Sequence, residues 1–193
     1  MNQKIIDAIK ESAAVKNAIL ENKEIIDTLQ TIVEKIVLCY KKGGKVLFCG
    51  NGGSAADAQH LAAELSGRFY YDRDPLYAEA LHVNTSYMTA VANDYSYDEV
   101  YTRLVKAMGR KGDILIGLST SGNSGNILRA LAQARQQEML TFGLTGESGG
   151  KMKELCDLTI RIPSAVTPRI QESHILVGHI ICELVEASLF PKP

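Results

Sequence analysis

The sequence lacks the features that mark membrane and nucleic-acid-binding proteins. No apolar run approaches the roughly 18 to 20 residues that a membrane-spanning helix needs, and residues 1–10 alternate charged and apolar side chains instead of forming a signal core. The net charge is −1 and the lysines and arginines are scattered, so no basic surface for a nucleic-acid backbone is expected. We therefore expect a cytoplasmic protein that binds neither a membrane nor nucleic acid.

Cysteine is scarce and is not arranged for disulfide or metal chemistry. The four cysteines, Cys39, Cys49, Cys156 and Cys182, form no C-x-x-C pair, and each has an apolar setting typical of a buried thiol. Neither a disulfide framework nor a zinc knuckle is expected. The composition of the 193 residues, 46% hydrophobic and 22% charged, fits one globular domain with a sizeable core.

The chain changes its pattern after residue 42. Residues 1–42 contain no Gly or Pro and have apolar residues at helical spacing, which predicts one or two amphipathic helices with a break at Asn22. Short apolar runs separated by helical segments follow at 46–49, 80–83, 114–118, 140–144 and 158–162. This alternation predicts a parallel sheet covered by helices on both faces. A long last helix is predicted over 169–189, with Pro168 in its first turn. Without a linker or repeat, residues 1–193 are expected to form a single domain.

A glycine-rich loop, Gly50-Asn51-Gly52-Gly53-Ser54, follows the first predicted strand. Ligands of open parallel sheets lie at the C-terminal ends of the strands, and glycines there let backbone N–H groups approach an anion at a helix N-terminus. From this loop alone, a tight turn with Ser54 as helix N-cap is an equally good interpretation. The loop also passes a loose dinucleotide fingerprint. However, the acid expected about 20 residues on would fall near Asp72 or Asp74, in a loop-like stretch, so no nucleotide is predicted.

A second polar loop, 119–126, follows the third predicted strand. It contains four hydroxyls, two amides and two glycines at a strand-to-helix turn, which together suit a phosphate monoester. No lysine follows the glycines, so the loop is not a nucleotide P-loop. An ordinary polar loop is the alternative, but the density of hydroxyls at the binding edge of the sheet favours a phosphate site.

Acid–base candidates follow the first loop. His60 and Glu64 are four residues apart and share a helix face, with Asp57 one turn earlier. Such a pair is often only a weak surface ion pair, but this one lies two turns from an anion-binding loop. Ketose–aldose isomerisation moves one proton between C1 and C2 and another between their oxygens, so it needs a carboxylate or imidazole for each transfer. Glu64 and a histidine would supply both groups.

The predicted C-terminal helix adds four further polar candidates, Gln171, Glu172, His174 and His179. Spacing does not choose among them. Glu172 and His179, seven residues apart, share a face more closely than Gln171 and His179, which differ by about 80°.

These segments together match a known signature. The matching residues are 50–54, 59–68, Asn93-Asp94, 119–124 and 169–174 followed by His179. On them the sequence resembles the phosphoheptose isomerases of the SIS fold over nearly its whole length. The resemblance implies a three-layer, flavodoxin-like α/β fold with a central five-stranded parallel sheet, and an N-terminal helical segment, 1–42, that packs on the core and in the oligomer. It also implies conversion of sedoheptulose 7-phosphate to D-glycero-D-manno-heptose 7-phosphate for lipopolysaccharide or capsule synthesis.

The resemblance further implies a role for each site residue. Glu64 and His179 would be the acid–base pair. The phosphate would be held by Ser119, Thr120, Ser121 and Ser124. The sugar would be bound by Asn51, Gly52, Gly53, Ser54, Glu64, Arg68, Asn93, Asp94 and Gln171. A zinc ion would be held by His60, Glu64, Gln171 and His179, for which oxygen and imidazole ligands are suitable.

Two other functions on the same fold stay open. One is a non-catalytic SIS regulator that associates with the replication initiator, a type that lacks the acid and the final imidazole. Glu64 and His179 are both present, which favours an enzyme. The other is a pentose-phosphate isomerase of the arabinose 5-phosphate type, which usually carries a C-terminal pair of regulatory modules. A chain that ends at Pro193 is expected to have no room for them.

The spacing of Gln171 and His179 predicts sites that are shared between subunits. On one helix these residues are separated by about 12 Å of rise and roughly 80° of rotation. One chain is therefore expected to give His179 and its neighbour Gln171. The family is similarly tetrameric with sites at subunit contacts, and closed homo-oligomers commonly build such sites. We expect a homotetramer in which the apolar N- and C-terminal helices pack the protomers together.

Overall fold

The computed structural model describes residues 1–192 and begins with two long helices. Helix α1 spans Asn2–Glu21 and helix α2 spans Lys23–Lys41. They are separated at Asn22, as predicted, because the Asn22 side chain accepts a hydrogen bond of 3.2 Å from the N–H of Ile25 and so caps α2. None of the helices within residues 1–192 combines the length and apolarity needed to cross a bilayer.

A five-stranded sheet forms the centre of the molecule. Its strands are β1 Val46–Gly50, β2 Ala78–Ala80, β3 Ile114–Leu118, β4 Leu140–Thr145 and β5 Leu158–Arg161. All neighbouring strands pair in parallel in the order β2-β1-β3-β4-β5. The predicted five-stranded parallel sheet is confirmed. The position predicted for its second strand was wrong: the strand ends at Ala80, because the chain turns at residues 81–82 towards the next helix.

Helices cover both faces of the sheet. The remaining helices are α3 Gly53–Ser66, α4 Thr85–Asp94, α5 Val100–Met108, α6 Gly125–Gln136, α7 Met152–Leu155 and α8 Thr167–Leu189. Along β1, Val46 and Phe48 pack in one core with α1, α2, α3 and α8. Leu47 and Cys49 pack in the other core with α4 to α7. This alternation produces the three-layer architecture. Helix α8 has Pro168 in its first turn, as predicted.

The cysteines lie in or beside the apolar core, as their apolar settings in the sequence predict. All four are free; Cys39, Cys49 and Cys182 are buried, and Cys156 is partly buried. Burial raises the pKa of the Cys39 thiol to about 11, with the Asp113 carboxylate adding to the rise. The thiols are therefore core residues in this fold.

A buried histidine makes the stability of the fold depend on pH. His174 of α8 is fully buried, and its Nε2 lies 3.2 Å from the Thr145 carbonyl oxygen. Burial lowers the pKa of His174 from 6.5 to about 4, although the hydrogen bond to Thr145 opposes the shift. The unfolded chain therefore binds a proton more readily than the folded chain between these values.

We expect the free energy of unfolding to fall as the pH drops from 6.5 towards 4, by about 3 kcal/mol from His174. Above pH 6.5 the contribution is fully present because the neutral ring is favoured in both states. Urea unfolding of the wild type and of His174→Gln at several pH values measures this effect. The variant should be less stable at pH 8 but should lose less stability on acidification. Parallel pH profiles for the two proteins would remove His174 as the responsible group.

Candidate active site

The first glycine-rich loop turns the chain from β1 into α3. Gly52 is the N-cap of α3 and has φ +56°, a left-handed conformation that favours glycine. The alternative with Ser54 as N-cap was wrong, because Ser54 already lies inside the helix and is buried. Gly50 is required for space, since a Cβ at this position would collide with the Ser54 carbonyl.

The second loop brings several hydroxyls together at the end of β3. The Oγ of Ser119 lies 3.0 Å from that of Ser124 and 3.5 Å from that of Ser121. Ser121 is exposed and accepts a hydrogen bond of 3.2 Å from the N–H of Asn123. Ser124 is the N-cap residue of α6, and its side chain makes no capping bond. The loop therefore presents hydroxyls and a helix N-terminus in one place, an arrangement suited to a phosphate.

The two loops are tied together at the point where the strand order reverses. β1 and β3 are neighbours, while the chain continues to β2 on one side and to β4 on the other. Asn51 and Asn126 exchange two hydrogen bonds of 2.9 Å across this point, and Tyr97 donates a third, of 3.1 Å, to Asn51. Such switch points are where doubly wound sheets bind ligands. The amide of Asn51, predicted to contact the sugar, is therefore engaged in joining the loops.

A cleft of about 290 Å³ opens beside the second loop. Its lining residues are Thr120, Ser121, Asn123, Gly146, Glu147, Ser148, Ser164, Ala165, Thr167 and Ile170. The segments 146–148 and 164–167 were missed by the sequence analysis. They follow the predicted strands 140–144 and 158–162, so the rule that ligands lie at strand ends could have indicated them.

A cluster of two imidazoles and one carboxylate lies between α3 and α8. His60 Nε2 is 3.2 Å from Glu64 Oε1 and 2.9 Å from His179 Nε2. The side chain of His60 is 48% exposed and that of Glu64 24% exposed, so the cluster is open to solvent on one side. The helices approach closely here because Gly178 packs on Leu61, where any Cβ would collide with the leucine side chain.

The donor set of this cluster fits a metal ion. One ligand atom from each of His60, Glu64 and His179 lies within 4.8 Å of the others. Two facing ring nitrogens cannot both carry a proton in a 2.9 Å gap, so at least one presents a lone pair to the other. Two nitrogens about 2 Å from a tetrahedral zinc ion would be about 3.3 Å apart, which is close to the observed separation.

The remaining polar residues of α8 point in different directions. Glu172 accepts a hydrogen bond of 2.7 Å from Ser12 of α1, and His174 is buried in the core. Among the four candidates, Gln171 and His179 are the two that face α3. The structure thus makes the selection that helix spacing could not make.

Gln171 and His179 contact α3 at different points along its axis. Its amide packs on Gly53, where a Cβ would collide with the amide nitrogen, whereas His179 contacts His60. Gly53 and His60 are seven residues apart, about 10 Å along the helix axis. Gln171 as a fourth metal ligand, and its supply by a neighbouring chain, remain predictions. Glu64 and His179, by contrast, meet at His60 within one chain.

Asp57 adds a further carboxylate one turn before His60. Its Oδ2 is buried and has no hydrogen-bond partner among residues 1–192. Burial raises the pKa of Asp57, and the nearby His60 and His179 oppose the rise. The carboxyl is thus easier to protonate than an exposed aspartate.

The other predicted sugar-binding residues are exposed. Arg68 lies just after the end of α3, and its side chain is open to solvent. Asn93 and Asp94 end α4, where the Asn93 amide donates a hydrogen bond of 2.9 Å to the Asp94 carboxylate. Their roles in sugar binding remain predictions.

Comparison with known proteins identifies the family. A model of the SIS domain matches residues 9–146. Phosphoheptose isomerase 2 of Campylobacter jejuni is 50% identical over 192 residues, which cover 100% of this chain and 96% of the relative. The phosphoheptose isomerase of Aneurinibacillus thermoaerophilus is 50% identical over 190 residues, or 98% of this chain and 96% of that one. The chain belongs to the phosphoheptose isomerase family.

The fold supports the same family. The solved structure of the phosphoheptose isomerase from Neisseria gonorrhoeae superposes with a TM-score of 0.90 at 39% identity, covering 96% of this chain and 98% of that chain. The predicted family, its three-layer fold and its enzyme class, sugar-phosphate isomerase, are confirmed.

Proposed function

We propose that this chain interconverts sedoheptulose 7-phosphate and D-glycero-D-manno-heptose 7-phosphate through an enediol. The observation that carries the proposal is the His60–Glu64–His179 cluster on α3, which begins in the glycine-rich loop, and on α8. The two full-length relatives at 50% identity, both named phosphoheptose isomerase, support it. The test is incubation of purified protein with sedoheptulose 7-phosphate and detection of the aldose. Absence of aldose at high protein concentration would contradict the proposal.

The proposed mechanism separates binding from chemistry. The hydroxyls of the second loop and the N-terminus of α6 hold the phosphate, so that C1 and C2 of the sugar extend towards α3 and α8. Glu64 removes a proton from C1 of the ketose while the C1–C2 double bond of the enediol forms and His179 gives a proton to O2. Glu64 then returns a proton to C2, and His179 accepts the proton of the O1 hydroxyl as the aldehyde forms.

We also propose zinc as a cofactor, held by His60, Glu64 and His179, with Gln171 as the predicted fourth ligand. When bound, zinc would supply Lewis-acid polarisation of the substrate carbonyl. Glu64 has two carboxylate oxygens and His179 has two ring nitrogens, so in each residue one atom can bind the ion while the other transfers the proton. The spacing of the three ligand atoms supports this assignment.

Removal of the metal is expected to lower turnover strongly, and added zinc should restore it. His60→Ala should lower the zinc content of the purified protein, because it removes one of the ligands, while the protein stays folded. Metal content by mass spectrometry and melting temperature with and without zinc give readouts that do not depend on activity. Full activity in protein shown to be free of metal would contradict the zinc proposal and leave the isomerase proposal standing.

The alternatives to the heptose isomerase are not favoured. Both Glu64 and His179 are present and adjoin His60, whereas a non-catalytic regulator needs no such cluster. Arabinose 5-phosphate, tested in the same assay, distinguishes the pentose-phosphate alternative. We expect turnover of the heptose phosphate to be much faster.

We expect Ser121→Ala to raise KM about 10-fold, because a hydrogen bond to a charged phosphate contributes about 1.5 to 3 kcal/mol. It should also lower kcat to some degree, since the phosphate orients the sugar. Steady-state kinetics test this, with Ser188→Ala, an exposed serine at the end of α8, as control. An unchanged KM for the phosphorylated sugar would contradict the phosphate assignment of the loop.

We propose that the chain assembles as a homotetramer with sites at the subunit contacts. Large apolar side chains are exposed along α1, among them Ile5 at 55%, Ile9 at 64% and Leu20 at 73%, which favours burial against another chain. A molar mass of four chains in sedimentation equilibrium is expected, and an active monomer would contradict the proposal.

The cytoplasmic location expected from the sequence also stays a prediction, which cell fractionation would test.

A further inference from the structure

A buried carboxylate of α8 binds the chain segment that follows α3. Glu186 is 1% exposed. It accepts hydrogen bonds of 2.8 Å from the N–H groups of Phe69 and Tyr70 and one of 3.1 Å from Arg73 Nε. Burial alone would raise the pKa of Glu186, but these donors hold it below its usual value, so the group is charged.

Arg73 extends this contact to the end of α3. Its side chain is 2% exposed. Its Nη1 donates to the carbonyl oxygens of Gly67, at 2.8 Å, and Asp74, at 3.0 Å. Its Nη2 donates to the carbonyl oxygen of Glu64, at 3.0 Å. The guanidinium thus binds the main chain of the proposed acid–base residue itself.

The ion pair therefore contacts the main chain at Glu64 and on both sides of Arg68, two of the proposed site residues. Arg73 binds the carbonyl of Gly67, the residue before Arg68 in the sequence, and Glu186 binds the N–H of Phe69, the residue after it. The ring of Phe69 lies against that of His179, with 5.9 Å between the ring centroids. His179 and Glu186 are seven residues apart and so lie on the same face of α8.

We propose that Glu186 and Arg73 are positioning residues, which fix Glu64, Arg68 and His179 relative to one another for isomerisation. The inference rests on the proposed roles of those three residues. Neither member of the pair has to contact the sugar. A charged pair suits this role because its hydrogen bonds are directional. A carboxylate and a guanidinium bind several main-chain groups at fixed angles, which apolar side chains cannot do. Small displacements of proton-transfer groups are costly to catalysis.

The test compares Glu186→Gln with Glu183→Gln, an exposed glutamate on the same helix. Glutamine keeps the shape of Glu186 but removes the charge and turns a donor towards the N–H groups. We expect kcat per folded molecule, with the folded fraction measured by circular dichroism, to fall at least 10-fold. Inhibition by inorganic phosphate, which reports on the second loop, should stay within about twofold. Glu183→Gln should match the wild type in both measurements.

A purely structural role gives a different result. It would lower the melting temperature of Glu186→Gln while leaving kcat per folded molecule within twofold of wild type, and that result overturns the inference. If Glu186→Gln does not fold, Arg73→Lys decides in the same assay. Lysine keeps the positive charge but cannot reach Glu186 and the three carbonyls together, so the same loss of kcat is expected. An inactive wild type would contradict the proposed function instead, before either variant is compared.

Discussion

Replacing Glu64 by glutamine is expected to lower kcat at least ~10²-fold and to leave KM within a few fold. The amide has the shape of the carboxylate and can still reach His60, which lies 3.2 Å from Glu64 in the native protein. It cannot take a proton from C1. The second loop, which is proposed to bind the phosphate, lies between β3 and α6 and should be unaffected.

The kinetics of Glu64→Gln need two companion measurements. Glu34→Gln, which changes an exposed glutamate on α2, controls for the substitution itself and should behave as wild type. Zinc content separates loss of the base from loss of the ion, because Glu64 is also a proposed ligand. Lost turnover with retained zinc assigns the proton transfer to the carboxylate. Turnover near that of the wild type would remove Glu64 from the mechanism.

His179→Gln is expected to have an effect of similar size, about 10²-fold on kcat, because the oxygens of the sugar lose their proton donor and acceptor. Zinc content is measured for this variant too, because His179 is also a proposed ligand. The glutamine amide can occupy the place of Nε2, which lies 2.9 Å from His60 Nε2. His82→Gln, at a half-buried histidine after β2, is the control and should retain activity.

Mixing the two variants tests where the residues come from. Glu64 and His179 meet within one chain, so every site of a mixed oligomer keeps one defect. Mixed Glu64→Gln and His179→Gln proteins should therefore stay inactive after subunit exchange. Recovery of activity would contradict a cluster built from one chain.

The fold could be predicted because its strands are buried on both faces. β1 and β3 are fully buried and appear in the sequence as uninterrupted apolar runs. The predicted position of the second strand lies too far along the chain. The strand itself contains Glu79, a charged residue, whereas the chain turns at the more apolar residues that follow. Local pattern locates a strand less well when its most apolar residues lie outside it.

The site could be predicted in part. The i,i+4 pair of His60 and Glu64 and the two loops are local patterns. The structure joins the two loops through Asn51 and Asn126 and places the His60–Glu64 pair against His179, further along α3. The choice of His179 came from the family resemblance, since spacing left several residues of α8 equivalent. Glu186 and Arg73 are 113 residues apart, and no local pattern pairs them. Such contacts depend on how α3 and α8 pack, which the sequence alone does not specify.

The most direct test of the central claim is proton NMR of sedoheptulose 7-phosphate incubated with the protein in D₂O. An enediol mechanism with a carboxylate base predicts a new aldose signal, with deuterium at C2 of the product where the base exchanges its proton with solvent. Glu64→Gln at the same concentration should give neither the aldose nor the label within the time in which the wild type approaches equilibrium. Equal product formation by both proteins, or no aldose from the wild type, would contradict the account.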